Sequence, residues 1–236
     1  HPELEDFLRG IQNGVMYDDG PNPLPNEDSA PAAFDFSTMR PGRIFTMAGE
    51  QYRYLENMSS GNHLIIRNDA IRDVHWANHD DILNDWYTSL ASEVQDMVQP
   101  VSDSFNTGSV DHAELTFVSL TAEDNRGWLP DNLANFPDVA ADITQVDPSG
   151  SPRAFSLSLA DVTRLSGPGR AFPNFATRLS SGSGWWQTRT LGTTTGAPWV
   201  VTLSRIGDRV YGLNVGNFSP LPTGGTRPAL IINQSN

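Results

Sequence analysis

Trp185-Trp186-Gln187-Thr188-Arg189-Thr190-Leu191-Gly192 is the most distinctive stretch of the chain, and its reading decides the fold. Exposed tandem tryptophans could stack on sugar rings or on a partner protein. Buried, one or both would fill the core of a sheet, where large aromatics usually lie. Both readings give expectations. Trp185 is expected against the sheet in a structural role, together with Trp86 and Arg227. Trp186, Arg189 and Trp199 are candidate binding residues.

Downstream of this stretch the pattern is strand-like. Pro198-Trp199-Val200-Val201-Thr202-Leu203-Ser204 and Arg209-Val210-Tyr211-Gly212-Leu213-Asn214-Val215 flank Arg205-Ile206-Gly207-Asp208, with Gly207-Asp208 as the turn. Arg227-Pro228-Ala229-Leu230-Ile231-Ile232 reads as a last strand. Far upstream, Arg43-Ile44-Phe45-Thr46-Met47 and Gln51-Tyr52-Arg53-Tyr54-Leu55 are joined through Ala48-Gly49-Glu50, a hairpin signal. His63-Leu64-Ile65-Ile66-Arg67 follows as a third strand, and such a meander implies an antiparallel sheet.

Two helices are expected. Ile82, Leu83, Trp86, Leu90, Val94 and Met97 recur at spacings of three and four, which predicts one helix over 80–98, started near Asn78 or Asp80 and ended before Pro100. Ser158 with Asp161 three residues on is a capping-box variant opening a second helix. Leu159, Val162 and Leu165 form its buried face, Gly167 ends it, and Phe155-Ser156-Leu157 before it reads as a strand. The stretch 121–153, rich in Pro, Asn, Asp and Gly, reads as a long surface insertion.

Leu4, Phe7, Leu8 and Ile11 give residues 2–14 an amphipathic helical pattern closed by Gly14. An acidic, proline-rich arm follows, from Asp18 to Asp28. We therefore divide the chain into an N-terminal helix and arm, 1–39, and an α+β domain, 40–236. The start, His1-Pro2-Glu3, carries neither Met nor a signal peptide, which points to a trimmed product.

Composition narrows the chemistry. The chain has 236 residues and no cysteine, which removes disulfides, thiol catalysis and cysteine-bound zinc. All 15 basic residues are Arg, so no lysine is present for a Schiff base or a phosphate loop. A net charge of −13 argues against nucleic acid as a partner. No apolar run is long enough to insert in a membrane.

No catalytic or metal-binding residues are assigned. His75 and His79 have the four-residue spacing of a zinc pair, beside Asp80 and Asp81, but no third ligand is evident. The 142–149 loop is the other acidic candidate for a cation. None of the histidines (positions 1, 63, 75, 79 and 112) adjoins a nucleophile elbow, and Gly182-Ser183-Gly184 is a flexible turn. Gly167-Pro168-Gly169-Arg170 follows a helix, whereas a phosphate loop precedes one. No cofactor is expected.

Several blocks resemble one family. Phe155-Ser156-Leu157-Ser158-Leu159-Ala160-Asp161 is similar to an F-L-L-S-x-x-E step, and 185–192 to a W-W-L-R-S-P-G block. Gly225-Thr226-Arg227-Pro228-Ala229-Leu230 is close to a terminal G-V-R-P-A-L. Ala197 to Val215 is similar to a pair of strands with a central Gly, and Asp81 to Val98 falls where an R-x-W-L-N helix stands. These blocks, over about residues 40–232, resemble the bacterial surface domain called domain of unknown function 6273, itself similar to the C-type-lectin and sulfatase-modifying-factor folds. Arg189 stands one position from the family's arginine. The resemblance implies a C-type-lectin-like α+β fold: a twisted, mostly antiparallel sheet, two main helices and long loops. It assigns no catalytic residues and implies an extracellular, cell-surface or secreted setting.

The expected function is adhesion or recognition of a protein or glycan on another surface, without catalysis. The alternative is a structural subunit of a surface filament or pilus, assembled from copies of itself through the N-terminal segment. An enzyme of the sulfatase-modifying kind would need the absent cysteine.

Overall fold

Leu64-Ile65-Ile66 and Ala229-Leu230-Ile231-Ile232 are apolar at every position. Strands alternate their side chains between faces, so such runs require cover on both sides. The computed structural model describes residues 21–118, 129–180, 185–194, 196–206, 209–215 and 224–234, and it provides that cover. The strands are β1 (Asp28–Ser29), β2 (Ile44–Met47), β3 (Glu50–Ser59), β4 (Asn62–Arg67), β5 (Ile71–Val74) and β6 (Pro100–Val101). They continue with β7 (Ser151–Pro152), β8 (Trp185–Leu191), β9 (Pro198–Ile206), β10 (Arg209–Val215), β11 (Gly224–Thr226) and β12 (Ala229–Asn233). Helices are α1 (His79–Ser89), α2 (Ser92–Gln95), α3 (Pro137–Ala141), α4 (Leu159–Arg164) and α5 (Phe175–Arg178).

The α+β class is as expected, but the strands form two five-stranded sheets and a short β6–β7 pair. The first sheet runs β1-β2-β3-β4-β12 and the second β10-β9-β8-β11-β5. Neighbours are antiparallel except β1–β2 and β8–β11. The hairpin over Ala48-Gly49 is a two-residue loop with φ of 51° and 85°, a conformation in which Gly49 is at no steric disadvantage.

The first sheet partitions the core. Leu64, Ile66, Ala229 and Ile231 face one apolar cluster with Leu157, Leu159, Val162, Trp186 and Trp199. Ile65, Leu230 and Ile232 face the other, with Phe34, Phe36, Phe45, Tyr52, Leu83 and Trp86. Residues 28–39 thus belong to the packed domain, and the boundary drawn at 39/40 cuts through a core. The arm from residue 21 is pinned as well: Arg43 Nη2 donates to the Pro23 carbonyl at 2.6 Å and Thr46 Oγ1 to that of Pro25 at 2.8 Å. The amphipathic segment 2–14 lies outside the described residues.

Other expectations need correction. The stripe read as one helix over 80–98 is two helices, because Leu90 leaves the helix with φ −66° and ψ 153°. Gln95 Nε2 caps the Leu90 carbonyl at 2.8 Å, and Leu83, Trp86, Leu90 and Val94 all still reach the core. Trp86 is buried in the cluster that holds Tyr52 and Leu83. Phe155 forms only a single bridge, to Ala229, rather than a strand. In the stretch read as a surface insertion, Leu129, Leu133, Val139, Asp142 and Thr144 are buried; residues 121–128 of it lie outside the description. The helix at Ser158 forms as expected, with Ser158 Oγ accepting from Asp161 N at 2.9 Å.

The tandem tryptophans divide by strand phase. Trp186 pairs with Val201 and Trp185 with Thr202, and it is the Trp186/Val201 pair that faces the core. Trp186 has no exposed surface and its Nε1 donates to the Arg178 carbonyl at 2.8 Å, whereas Trp185 is only half-buried. Trp199 is also fully buried, with Nε1 on the Val110 carbonyl at 2.9 Å. Arg227 serves the fold: Nε donates to the Arg67 carbonyl at 2.8 Å and Nη1 to that of Arg178 at 3.2 Å. Trp186→Ala should lower stability by about 3–5 kcal/mol, in the range of buried aromatic truncations, and Trp185→Ala by less than half of that. Urea denaturation of both variants checks the order; the reverse order would refute the assigned strand phase.

Candidate binding cleft

The polar loops between β6 and α4 are organised from below by a buried ionic network. Arg189, at 7% exposure, sends Nη2 to Asp142 Oδ1 at 2.7 Å and to Asp161 Oδ2 at 3.2 Å. Its Nη1 donates to Thr144 Oγ1 at 2.9 Å and to the Ser156 carbonyl at 2.8 Å. Asp161, fixed at the start of α4 by its reciprocal bonds with Ser158, also accepts from Thr144 N at 3.0 Å and from Arg164 Nη2 at 3.1 Å. Arg164 continues to Glu56 at 2.7 Å, tying the helix to β3. The Phe105 ring lies 4.1 Å from the Arg189 guanidinium carbon.

This network fixes residues 142–145 as a strip whose alternation is inverted. Asp142 and Thr144 point inward to Arg189, while Ile143 and Gln145 point out; Ile143 is 43% exposed. Beyond the strip, Asp147 N donates to the Pro100 carbonyl at 3.0 Å. There β7 pairs with β6, and a Cβ on Gly150 would lie 1.9 Å from the Val101 oxygen, so only glycine fits. A cleft of about 400 Å³ opens against the strip, lined by Ser102, Phe105, Asn106, Asp142, Gln145 and Asp147 together with apolar neighbours. An aromatic ring, two amides, a hydroxyl and the Asp147 carboxylate around a floor tied by the network can hold a polar ligand by hydrogen bonding.

Charge in the network is tightly set. Burial pushes the Asp142 carboxyl above its ordinary range; Arg189 opposes this and the neighbouring Asp161 carboxylate reinforces it. At the cleft's outer edge, Ser149 N and Oγ bond the Asp147 carboxylate and hold it below the ordinary range.

Among the candidate binding residues only Arg189 adjoins this cleft, and it acts from beneath; Trp186 and Trp199 are core residues. Phe105, Asn106, Ile143 and Gln145 were missed. The signal for them is Asp142-Ile143-Thr144-Gln145, an alternation whose apolar member is the one left outside. His75 and His79 do not converge: His75 is exposed, while His79 is buried with Nε2 2.8 Å from Ser156 Oγ. Among the described residues no group of three His, Asp or Glu side chains could hold a metal ion, and no helix is long and apolar enough to cross a membrane. Gly182-Ser183-Gly184 lies outside the described residues. No protein-family model, no curated protein and no solved structure matches the chain.

Removing the guanidinium would leave Asp142 and Asp161 buried beside each other. Arg189→Met should cost about 3–5 kcal/mol, the usual penalty for breaking a buried ion pair from one side. A urea midpoint like that of the wild type would show that the network carries no stability.

Two buried histidines couple stability to pH. Burial pushes His79 below its ordinary 6.5, against an opposing bond from Asp80. Burial does the same to His63, whose Nδ1 lies 2.8 Å from Tyr54 Oη. The unfolded chain therefore takes up these protons first on acidification. Their contribution is present above 6.5 and lost as pH falls through the depressed folded values. Asp142 has the opposite sign in its own, lower range. Stability should fall between about pH 7 and pH 5, and His79→Gln should flatten the slope; an equal slope in the variant, read from urea midpoints, would exclude His79 as a contributor.

Proposed function

We propose that the chain is a non-catalytic recognition module of an extracellular bacterial surface protein, and that the cleft at Phe105, Asn106 and Gln145 binds a polar ligand, with a neutral glycan the best suited. The observation that carries this reading is the inverted strip. A loop that turns Asp142 and Thr144 into an ionic network presents Gln145 outward in a fixed position. Preorganised amides, hydroxyls and a ring edge suit sugar hydroxyls, which need donors and acceptors in fixed directions.

A catalytic reading has less support. His63 and His79 are committed to Tyr54 and Ser156, and Asp142 is committed to Arg189. The finer architecture we propose is C-type-lectin-like. Its support is the mostly antiparallel sheets, the short helices packed on them, and a long excursion between β6 and β8 that carries the cleft. The extracellular setting rests on the family resemblance. A filament subunit is the second reading, but its motivating arm is packed on its own domain from residue 21 onward.

A glycan array probed with the full chain tests the proposal. Asn106→Ala and Gln145→Ala should each weaken the retained glycan about tenfold, as loss of one or two hydrogen bonds does, with the thermal midpoint unchanged. Retention of no glycan, or undiminished binding by both variants, would overturn it.

A further inference from the structure

A second cleft lies on the other side of the same strip, and its chemistry differs. It has a volume of about 380 Å³ and is lined by the apolar Leu133, Ala140, Ile143 and Ala160, by the hydroxyls of Thr163 and Ser166, and by Arg164 and Arg170. No carboxylate lines it. Arg164 is balanced by Glu56 and Asp161, so the exposed Arg170 is the cation it presents. The exposed large apolar side chains among the described residues are Ile143, in this cleft, and Leu24, at 67% exposure.

Leu24 stands where the described chain begins. There Asn22 bonds both backbone groups of Asp35, Oδ1 accepting from Asp35 N at 2.8 Å, and donates to the Thr38 hydroxyl, while Arg43 holds the Pro23 carbonyl. Next to Arg43, Gly42 lies so close to Ala171 that an added Cβ would stand 3.1 Å from its oxygen. Arg53 Nη1 bridges the carbonyls of Gly42 and Ala171 at 2.9 and 3.4 Å. Ala171 is the residue after Arg170. The first described residues are thus tied, through Arg43, to the segment whose Gly42 packs against Ala171.

Residues 1–20 carry what this cleft lacks. Leu4, Phe7, Leu8 and Ile11 form an apolar stripe, and Glu3, Glu5 and Asp6 are acidic. So short a helical stripe is marginal by itself and needs a surface. Residues 12–20 at about 3.3 Å each could span at most roughly 30 Å from residue 21, the scale of a small domain's face. We propose that the Leu4–Ile11 segment docks in cis into the cleft at Ile143, with its carboxylates toward Arg170. Ile143 borders the polar cleft as well, but the docking does not depend on any ligand being bound there.

The absence of cysteine makes the test direct. Leu8→Cys is combined in the full chain either with Ile143→Cys or with Glu93→Cys, an exposed site on α2 beyond the opposite face of the first sheet. Ile11→Cys is paired in the same way, so that one unfavourable side-chain direction does not decide the result. At least one pair with position 143 should close an intrachain disulfide on the order of tenfold faster than its position-93 control, read as a faster band on non-reducing gels, as the raised effective concentration of a docked segment requires. Predominantly interchain dimers would assign the cleft to the segment of a second copy. Equal rates at positions 143 and 93 for both residues would mean that the segment does not dock there. Either outcome overturns the proposal.

Discussion

Arg227 sits where the chain passes from one sheet to the other, and both sheets depend on that crossing. β11 belongs to the second sheet and β12 to the first, with only Arg227-Pro228 between them. β4 and β5 make the same change of sheet through Asn68–Ala70, at the same place. The guanidinium ties the crossings together by bonding the carbonyl of Arg67, whose own amide N donates to the Pro228 carbonyl at 2.7 Å. Its planar face lies 5.6 Å from the Trp186 ring and 5.9 Å from that of Phe172. Complete burial, with Arg53 nearby as a like charge, pushes its pKa down to about 9. Carbonyl oxygens at Nε and Nη1 and the two aromatic rings replace part of the lost water, while Nη2 is left without a hydrogen-bond partner. Lysine could reach one carbonyl but could not fork to two.

Much of this frame was legible in the sequence because it rests on local patterns. The β2–β4 meander, the Ala48-Gly49 turn and the Ser158 cap all depend on residues within a few positions of one another. The apolar runs at 64–66 and 229–232 foretold strands, and being apolar at every position they required two covered faces. What period alone could not settle was phase. With Trp at both 185 and 186, alternation says that one faces inward but not which one; the answer lies in Val201, across the strand pair. The break at Leu90 was hidden because the residues after it continue the apolar stripe. The core role of Phe34 and Phe36 was masked by their position just after an acidic, proline-rich arm.

The cleft was less legible because its determinants are far apart in the chain. Arg189 drew attention as part of an aromatic stretch, yet its meaning depends on Asp142, 47 positions away, and on Ser156, 33 positions away. The capping box at Ser158 and Asp161 was visible, but both of its members have a second use, Ser158 Oγ donating to the Asp142 carbonyl. The same carboxylate that closes the box also receives Thr144 and Arg189, and through them fixes the strip. A local rule was satisfied so well that it concealed a long-range one.

The composition of the network explains why the strip is held rather than merely paired. Asp142, Asp161 and Glu56 bring three carboxylates to two guanidiniums, those of Arg189 and Arg164. The excess is negative, in keeping with an Asp142 carboxyl pushed up by burial and by Asp161. Such an arrangement is a poor source of net stability, since desolvating the ions offsets much of their attraction. It is well suited to fixing geometry, because any slip of the strip would strand a charge in the interior. In the binding we propose, a strip already held in place would reduce what a ligand must order, so a hydrogen bond at Gln145 would count more fully toward affinity. The same rigidity keeps Ile143 outward, on the ridge between the polar cleft and the apolar one.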